Sequence, residues 1–110
     1  MAAVNNFKTF TETVGLTTSV FYTAPAGYTG VVLLSQVTNK GASTHTMTYI
    51  YRRSSGSDTE IIKNLSIPAG DTANLISGKL VVESGDKLAI NGSNASDLDF
   101  IASIMETSNL

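Results

Sequence analysis

Turn-forming residues interrupt this chain so regularly that every segment between them is short. Pro25-Ala26-Gly27 and Pro68-Ala69-Gly70 each join a proline, which presets φ, to a glycine, which accepts positive φ. Asn39-Lys40-Gly41 has the composition of a hairpin connection. Ser54 to Asp58 reads as a polar loop, Ser84-Gly85-Asp86 as a tight turn, and Asn91 to Asp97 as a second polar loop. The candidate strands between these breaks are Phe7–Thr13, Ser19–Ala24, Thr29–Thr38, Thr44–Arg52, Thr59–Ile67, Thr72–Ile76, Lys79–Glu83, Lys87–Asn91 and Leu98–Thr107. Threonine and β-branched residues recur in them and favour extended backbone. The spacing predicts an all-β chain: a single small antiparallel β-sandwich of seven to nine strands, jelly-roll or immunoglobulin-like. Residues 1–18 are expected to form an N-terminal arm or first strand, and 19–110 the sandwich. A chain of 110 residues is one domain, able to bury roughly 65% of its unfolded surface without staples. The repeated Pro-Ala-Gly is too short a match to indicate duplication.

Alternation assigns the faces. In Thr44–Arg52 the expected core face carries His45, Met47, Tyr49 and Tyr51. In Leu98–Thr107 it carries Leu98, Phe100, Ala102 and Ile104, and in Thr29–Thr38 it carries Val31, Leu33, Ser35 and Val37. The opposite faces of these last two strands also hold apolar residues: Val32 and Leu34 on one, Ile101 and Met105 on the other. One small sandwich has one core. This second apolar face needs a cover, either the N-terminal segment or a neighbouring subunit, and the four residues are expected to form an interface with such a subunit.

Charge and chemistry exclude most other roles. Charged residues are 15% of the chain, below the typical ~25% and unlike a coiled coil. A net charge of −2 with only 7 Lys plus Arg lacks the footprint of a nucleic-acid binder. With no cysteine there are no disulfides, thiolate metal sites or thiol catalysis. The start, Met1 to Lys8, has neither a basic cluster nor a signal-like apolar run, and the longest apolar run, Val31 to Leu34, is far too short for a membrane span. A soluble protein made without a secretory signal is expected. The sequons Asn64-Leu65-Ser66 and Asn94-Ala95-Ser96 are accordingly read as ordinary loop and strand-edge residues.

No catalytic constellation emerges. The single histidine, His45, sits on a strand without a Gly-x-Ser-x-Gly elbow to supply a nucleophile. The 9 carboxylates come without the Trp platforms a glycosidase would use. Asp97 and Asp99, with Asn91 and Asn94 nearby, are oxygen ligands of the type calcium takes, but the rest of a coordination shell is missing and turn capping explains them. Asp71 and Asp86 each follow a glycine and read as turn residues. Arg52 and Arg53, the only basic pair, are able to hold a phosphate or a carboxylate, and are expected to end a strand in solvent or to pair across a subunit boundary. No enzyme, cofactor or metal is expected.

The order of turns and strands resembles a family. Phe21-Tyr22-Thr23-Ala24-Pro25-Ala26-Gly27-Tyr28-Thr29-Gly30-Val31-Val32-Leu33 runs into Gln36-Val37-Thr38-Asn39. Ile67-Pro68-Ala69-Gly70-Asp71-Thr72 follows, then Leu80-Val81-Val82-Glu83-Ser84-Gly85-Asp86-Lys87-Leu88, then a closing Asp99-Phe100-Ile101-Ala102-Ser103-Ile104-Met105-Glu106. Over about residues 19–107 this is similar to small β-sandwich structural proteins of tailed-bacteriophage virions. The resemblance implies a sandwich that assembles into oligomers without catalysis, and it supplies no functional residues to transfer. The expected function is a capsid decoration or cement protein, sited on the virion and made in the host cytoplasm. Its partners would be sister subunits, with a trimer favoured, and the major capsid protein or other virion proteins, with no nucleic acid or membrane. A tail, neck or fibre component is the alternative. A carbohydrate-binding module for host attachment is a second, for which Tyr28, in a turn, is the best exposed aromatic.

Overall fold

The computed structural model describes residues 5–109. Their regular structure is β1 (Asn5–Thr13), β2 (Ser19–Thr23), β3 (Tyr28–Asn39), β4 (His45–Arg52), β5 (Asp58–Ile67), β6 (Thr72–Asn74), β7 (Leu80–Val82), β8 (Lys87–Gly92) and β9 (Leu98–Ser108). These are the candidate strands of the sequence, displaced by at most two residues at either end. Of the N-terminal eighteen residues, Asn5–Thr13 is β1 and Val14 is fully buried, while residues 1–4 lie outside the described residues.

Two antiparallel sheets stack face to face. Sheet A has the order β1-β9-β3-β6, with β7 also paired to β3, and sheet B the order β2-β8-β4-β5. The pairing is nested: β1 with β9, β2 with β8, β3 with β6 and β7, β4 with β5. An antiparallel ribbon wrapped so that successive pairs alternate between two layers has this order. It is a jelly roll, and the immunoglobulin-like option falls away.

Three turns share one geometry. Tyr28 N–H bonds the Pro25 carbonyl, Asp71 N–H that of Pro68, and Asp86 N–H that of Glu83, at 3.0, 3.1 and 2.9 Å. The residue before each donor is a glycine at positive φ: Gly27 at 81°, Gly70 at 79°, Gly85 at 85°. That is the type II pattern, which disfavours any residue with a Cβ at that position.

Two bulges decide what the core contains. In β2 the register shifts between Val20 and Tyr22, so the consecutive rings of Phe21 and Tyr22 both pack against the core. Phe21 meets Phe100 of sheet A at 4.7 Å between centroids and Tyr49 at 5.9 Å, and Phe10 meets Tyr22 at 5.3 Å. In β3 the register shifts between Val32 and Leu34. Val32, Ser35 and Val37 consequently point inward, while Leu33 and Leu34 are exposed. Strict alternation had placed Val31 and Leu33 in the core and Val32 outside. Val32 is in fact fully buried, because the bulge inverts the parity of everything before it.

Candidate subunit interface

The outward face of sheet A is built from the odd-numbered residues of β1 and β9 and from one side of β3, β6 and β7. Its registers form cross-strand rows. Phe7 stands opposite Met105, Met105 opposite Val31, and Val31 opposite Val81. This row is apolar across the whole sheet, and its ends are open: Phe7 is 72% exposed and Val81 53%. The next rows are Thr9–Ser103–Leu34, then Thr11–Ile101–Gln36–Asn74, then Thr13–Asp99–Thr38–Thr72. Gln36 Nε2 donates to Asn74 Oδ1 at 2.9 Å, and the Thr38 and Thr72 hydroxyls share a bond of 2.8 Å. The face is thus apolar near one end, inside a terminal row of Asn5, Thr107 and Thr29, and hydroxyl-rich and near-neutral at the other.

Of the four residues expected at an interface, Leu34, Ile101 and Met105 lie on this face. Val32 does not; the bulge puts Val31 there instead. Alternation also missed Phe7 and Val81, whose membership depends on long-range pairing. Leu33 and Leu34 line a surface groove of about 420 Å³ with Ile76 and Lys79, in the gap between the two short strands β6 and β7. A second depression, of about 470 Å³, lies over Thr11, Thr13, Thr38 and Asp99. The hydroxyls there can donate and accept hydrogen bonds and the carboxylates of Glu12 and Asp99 can accept them, but among the described residues no nucleophile there is paired with a base.

The remaining chemically interesting residues are engaged within the chain. His45 Nε2 lies 2.9 Å from Asp97 Oδ2, and the Ser96 hydroxyl donates to Asp97 Oδ1 at 3.2 Å. Serine and histidine therefore meet the same carboxylate and not each other, so the serine has no base. Asp99 pairs instead with Lys40, at 3.2 Å. The two carboxylates considered for calcium thus belong to separate pairs, and among the described residues no group of three His, Cys, Asp or Glu is arranged to hold a metal ion.

Arg52 grips Asp58 through Nε at 2.7 Å and Nη2 at 3.1 Å. Arg53 lies over the Tyr51 ring and pairs with Glu83 and, at 2.9 Å, with Asp86. Asp86 is nearly fully buried. It also accepts from the Tyr51 hydroxyl at 2.6 Å and the Ser54 N–H at 2.9 Å. Burial pushes its pKa up, but these donors and the Arg53 charge outweigh that and hold it below the ordinary 3.8. A carboxyl whose pKa is lower folded than unfolded stabilises the fold at neutral pH. That stabilisation is lost as pH falls from the unfolded value through the folded one. The melting temperature is therefore expected to drop below about pH 4. Asp86→Asn should lower it at pH 7 and flatten the acid limb; an acid limb unchanged in the variant would show that Asp86 does not drive it.

At the same end, the buried Glu106 accepts from the Tyr22 hydroxyl at 2.9 Å and pairs with Lys8 at 3.1 Å, so both carboxylate oxygens have partners. Burial and the adjacent carboxylate push the Tyr22 hydroxyl far above the usual tyrosine range, which keeps it a donor. Tyr49, also buried, is pushed up to about 12, with its bond to Ser35 acting against the rise.

No protein-family model matches the sequence, and no curated protein matches it. Solved structures do share the fold. A subunit of Bacillus endospore appendages, described as a novel family of disulfide-linked pili, superposes with a TM-score of 0.61 at 13% identity, covering 96% of this chain and 88% of that one. A chain from the capsid of Helicobacter pylori bacteriophage KHP30 gives 0.56 at 10% identity, covering 99% and 94%. A chain of infectious bursal disease virus, Gx strain, gives 0.55 at 12% identity; this chain spans 34% of it. At such identities the likeness establishes the jelly-roll fold. The absence of cysteine leaves this sequence without the means for disulfide linkage.

Proposed function

We propose that this protein is a non-enzymatic structural subunit of a tailed-bacteriophage virion, a capsid decoration or cement protein that assembles as a homo-oligomer on the particle. The observation that carries this reading is the free face of sheet A, where Phe7, Met105, Val31 and Val81 form an uncovered apolar row. A patch of this kind marks an interaction site. The likeness to a phage-capsid chain that is itself nearly spanned by this one supports the same role. The mechanism would be passive: a preformed surface meets its lattice in many identical copies, and weak contacts add through multivalency. Few charges suit dense packing of copies. The glycan reading is weakened because Tyr22 and Tyr49 are buried and Tyr28 is half-buried at the start of β3.

Leu34→Asp tests the surface. The substitution sets a charge in the contact, where desolvation opposes it, while the core side of β3 is untouched. The variant is expected to keep its circular dichroism spectrum and to bind particles at least ~10-fold more weakly. Normal decoration of particles, seen by cryo-electron microscopy, would remove this face from the interface. Finding the wild-type protein on tails and not on heads would favour the tail or neck alternative.

A further inference from the structure

Four margins bound the two sheets, and three are blunted. β6 and β7 are 3 residues each. β2 has 5 residues and a bulge. β5 carries Asp58, Glu60 and Lys63, two register shifts, and Asn64 at a φ of 51°. Short strands, bulges and charges are the devices that keep a sheet edge from pairing with another chain.

β1 is different. Its two charges, Lys8 and Glu12, are of opposite sign, and it lacks the other devices: it is 9 residues long, runs opposite β9 from Asn5↔Thr107 to Thr13↔Asp99 without a shift, and contains neither proline nor glycine. Val14 N–H bonds the Leu98 carbonyl at 2.8 Å. By antiparallel alternation the even-numbered residues of β1 turn their backbone groups to β9, and Asn5, Phe7, Thr9, Thr11 and Thr13 turn theirs outward. Among the described residues no strand meets them.

We propose that β1 is a seam between two copies of this chain, paired antiparallel about a two-fold axis at Phe10, so that their A sheets become one continuous sheet. The charges of β1 select this partner and this register. Lys8 and Glu12 are the charged side chains of the strand, both on its inner side. An axis at Lys8 or at Glu12 would set like charges opposite one another. An axis at Thr9 or Thr11 would set each charge against an uncharged residue. With the axis at Phe10, Lys8 stands opposite Glu12 of the partner subunit, and symmetry repeats the pair. Both groups have capacity for it. Glu12 Oε1 takes the Ser19 hydroxyl at 2.8 Å, while Oε2 has no partner and is shielded within the single chain, so the carboxyl turns toward the seam to meet the lysine. The Lys8 ammonium binds Glu106 and keeps further donors. Thr9 then bonds through its backbone to Thr11 of the partner subunit. The inference stands apart from the virion reading, since it concerns the free protein.

Sedimentation of the wild type at micromolar concentration is expected to give twice the monomer mass. Thr9→Pro removes an outward N–H that the monomer does not use, which an edge strand tolerates. It should give a monomer with an unchanged circular dichroism spectrum. Because the chain has no native cysteine, Thr9→Cys and Thr11→Cys report the register even if the proline variant does not fold. An oxidised mixture of the two should cross-link 9 to 11 well above either variant alone. A monomeric or trimeric wild type, a dimer that survives Thr9→Pro, or Thr9→Cys cross-linking as well alone as in the mixture would each overturn the proposal.

Discussion

Phe100→Ala is expected to destabilise the protein by about 3–5 kcal/mol, the range for removing a fully packed aromatic ring from a core. Phe100 is on β9, in the interior of sheet A, and is 2% exposed. Its ring contacts Phe21 of β2 at 4.7 Å and stands edge-on to Tyr49 of β4 at 5.8 Å. Both of those rings belong to sheet B, so this side chain joins the two layers. The neighbours are held by strand backbones and cannot collapse into the space, which adds a cavity term to the lost burial. Total stability of a domain this size is about 5–15 kcal/mol, so the variant should sit close to unfolding at physiological temperature. Urea denaturation measures the effect as a lowered midpoint. A loss under about 1 kcal/mol would mean that the aromatic cluster does not hold the layers together.

The second large effect is expected from the smallest possible change. Gly30 lies on β3 where the Tyr22 ring crosses it, and a Cβ there would stand 2.5 Å from the Tyr22 hydroxyl and 2.9 Å from Cε2. The ring cannot withdraw cheaply, because it is buried and its hydroxyl donates to the buried Glu106. Gly30→Ala should therefore cost about 2–4 kcal/mol, combining overpacking with a carboxylate that loses a donor. A double-mutant cycle separates this from a general effect of β3. Tyr22→Phe removes the same hydroxyl, so adding it to Gly30→Ala should cost distinctly less than the sum of the two single losses. Additive losses would show that the glycine is needed for some other reason.

How far the sequence reaches depends on the range of the interaction. Turn chemistry is local, so Pro25 to Gly27, Pro68 to Gly70 and Ser84 to Asp86 marked their breaks directly, and the strands between them followed. Alternation is equally local and assigned Leu98, Phe100, Ala102 and Ile104 to the core, where they are buried. It failed at Val31-Val32-Leu33-Leu34, because four apolar residues in a row carry no alternation and leave no sign of the bulge. The partners of buried charge were not legible either. Tyr22 and Glu106 are 84 residues apart, and Arg53 and Asp86 are 33 apart. The apolar row on sheet A was half legible for the same reason. Ile101 and Met105 declare themselves on one strand, whereas Phe7 and Val81 join only once β1, β9, β3 and β7 are laid side by side.

The nested pairing has a consequence for how the protein is made. β9 lies between β1 and β3, so one of the two interior strands of sheet A is synthesised after both of its neighbours. Until Leu98–Ser108 has emerged, β1 and β3 have no shared neighbour, and the inner face of β3 has no sheet to complete. Folding must wait for a pairing that spans almost the entire chain, and long-range closure of this kind is intrinsically slow. During that interval the unpaired strands present open backbone to every other nascent copy. Synthesis rate and local concentration, as much as final stability, then govern how much of the product reaches its native state.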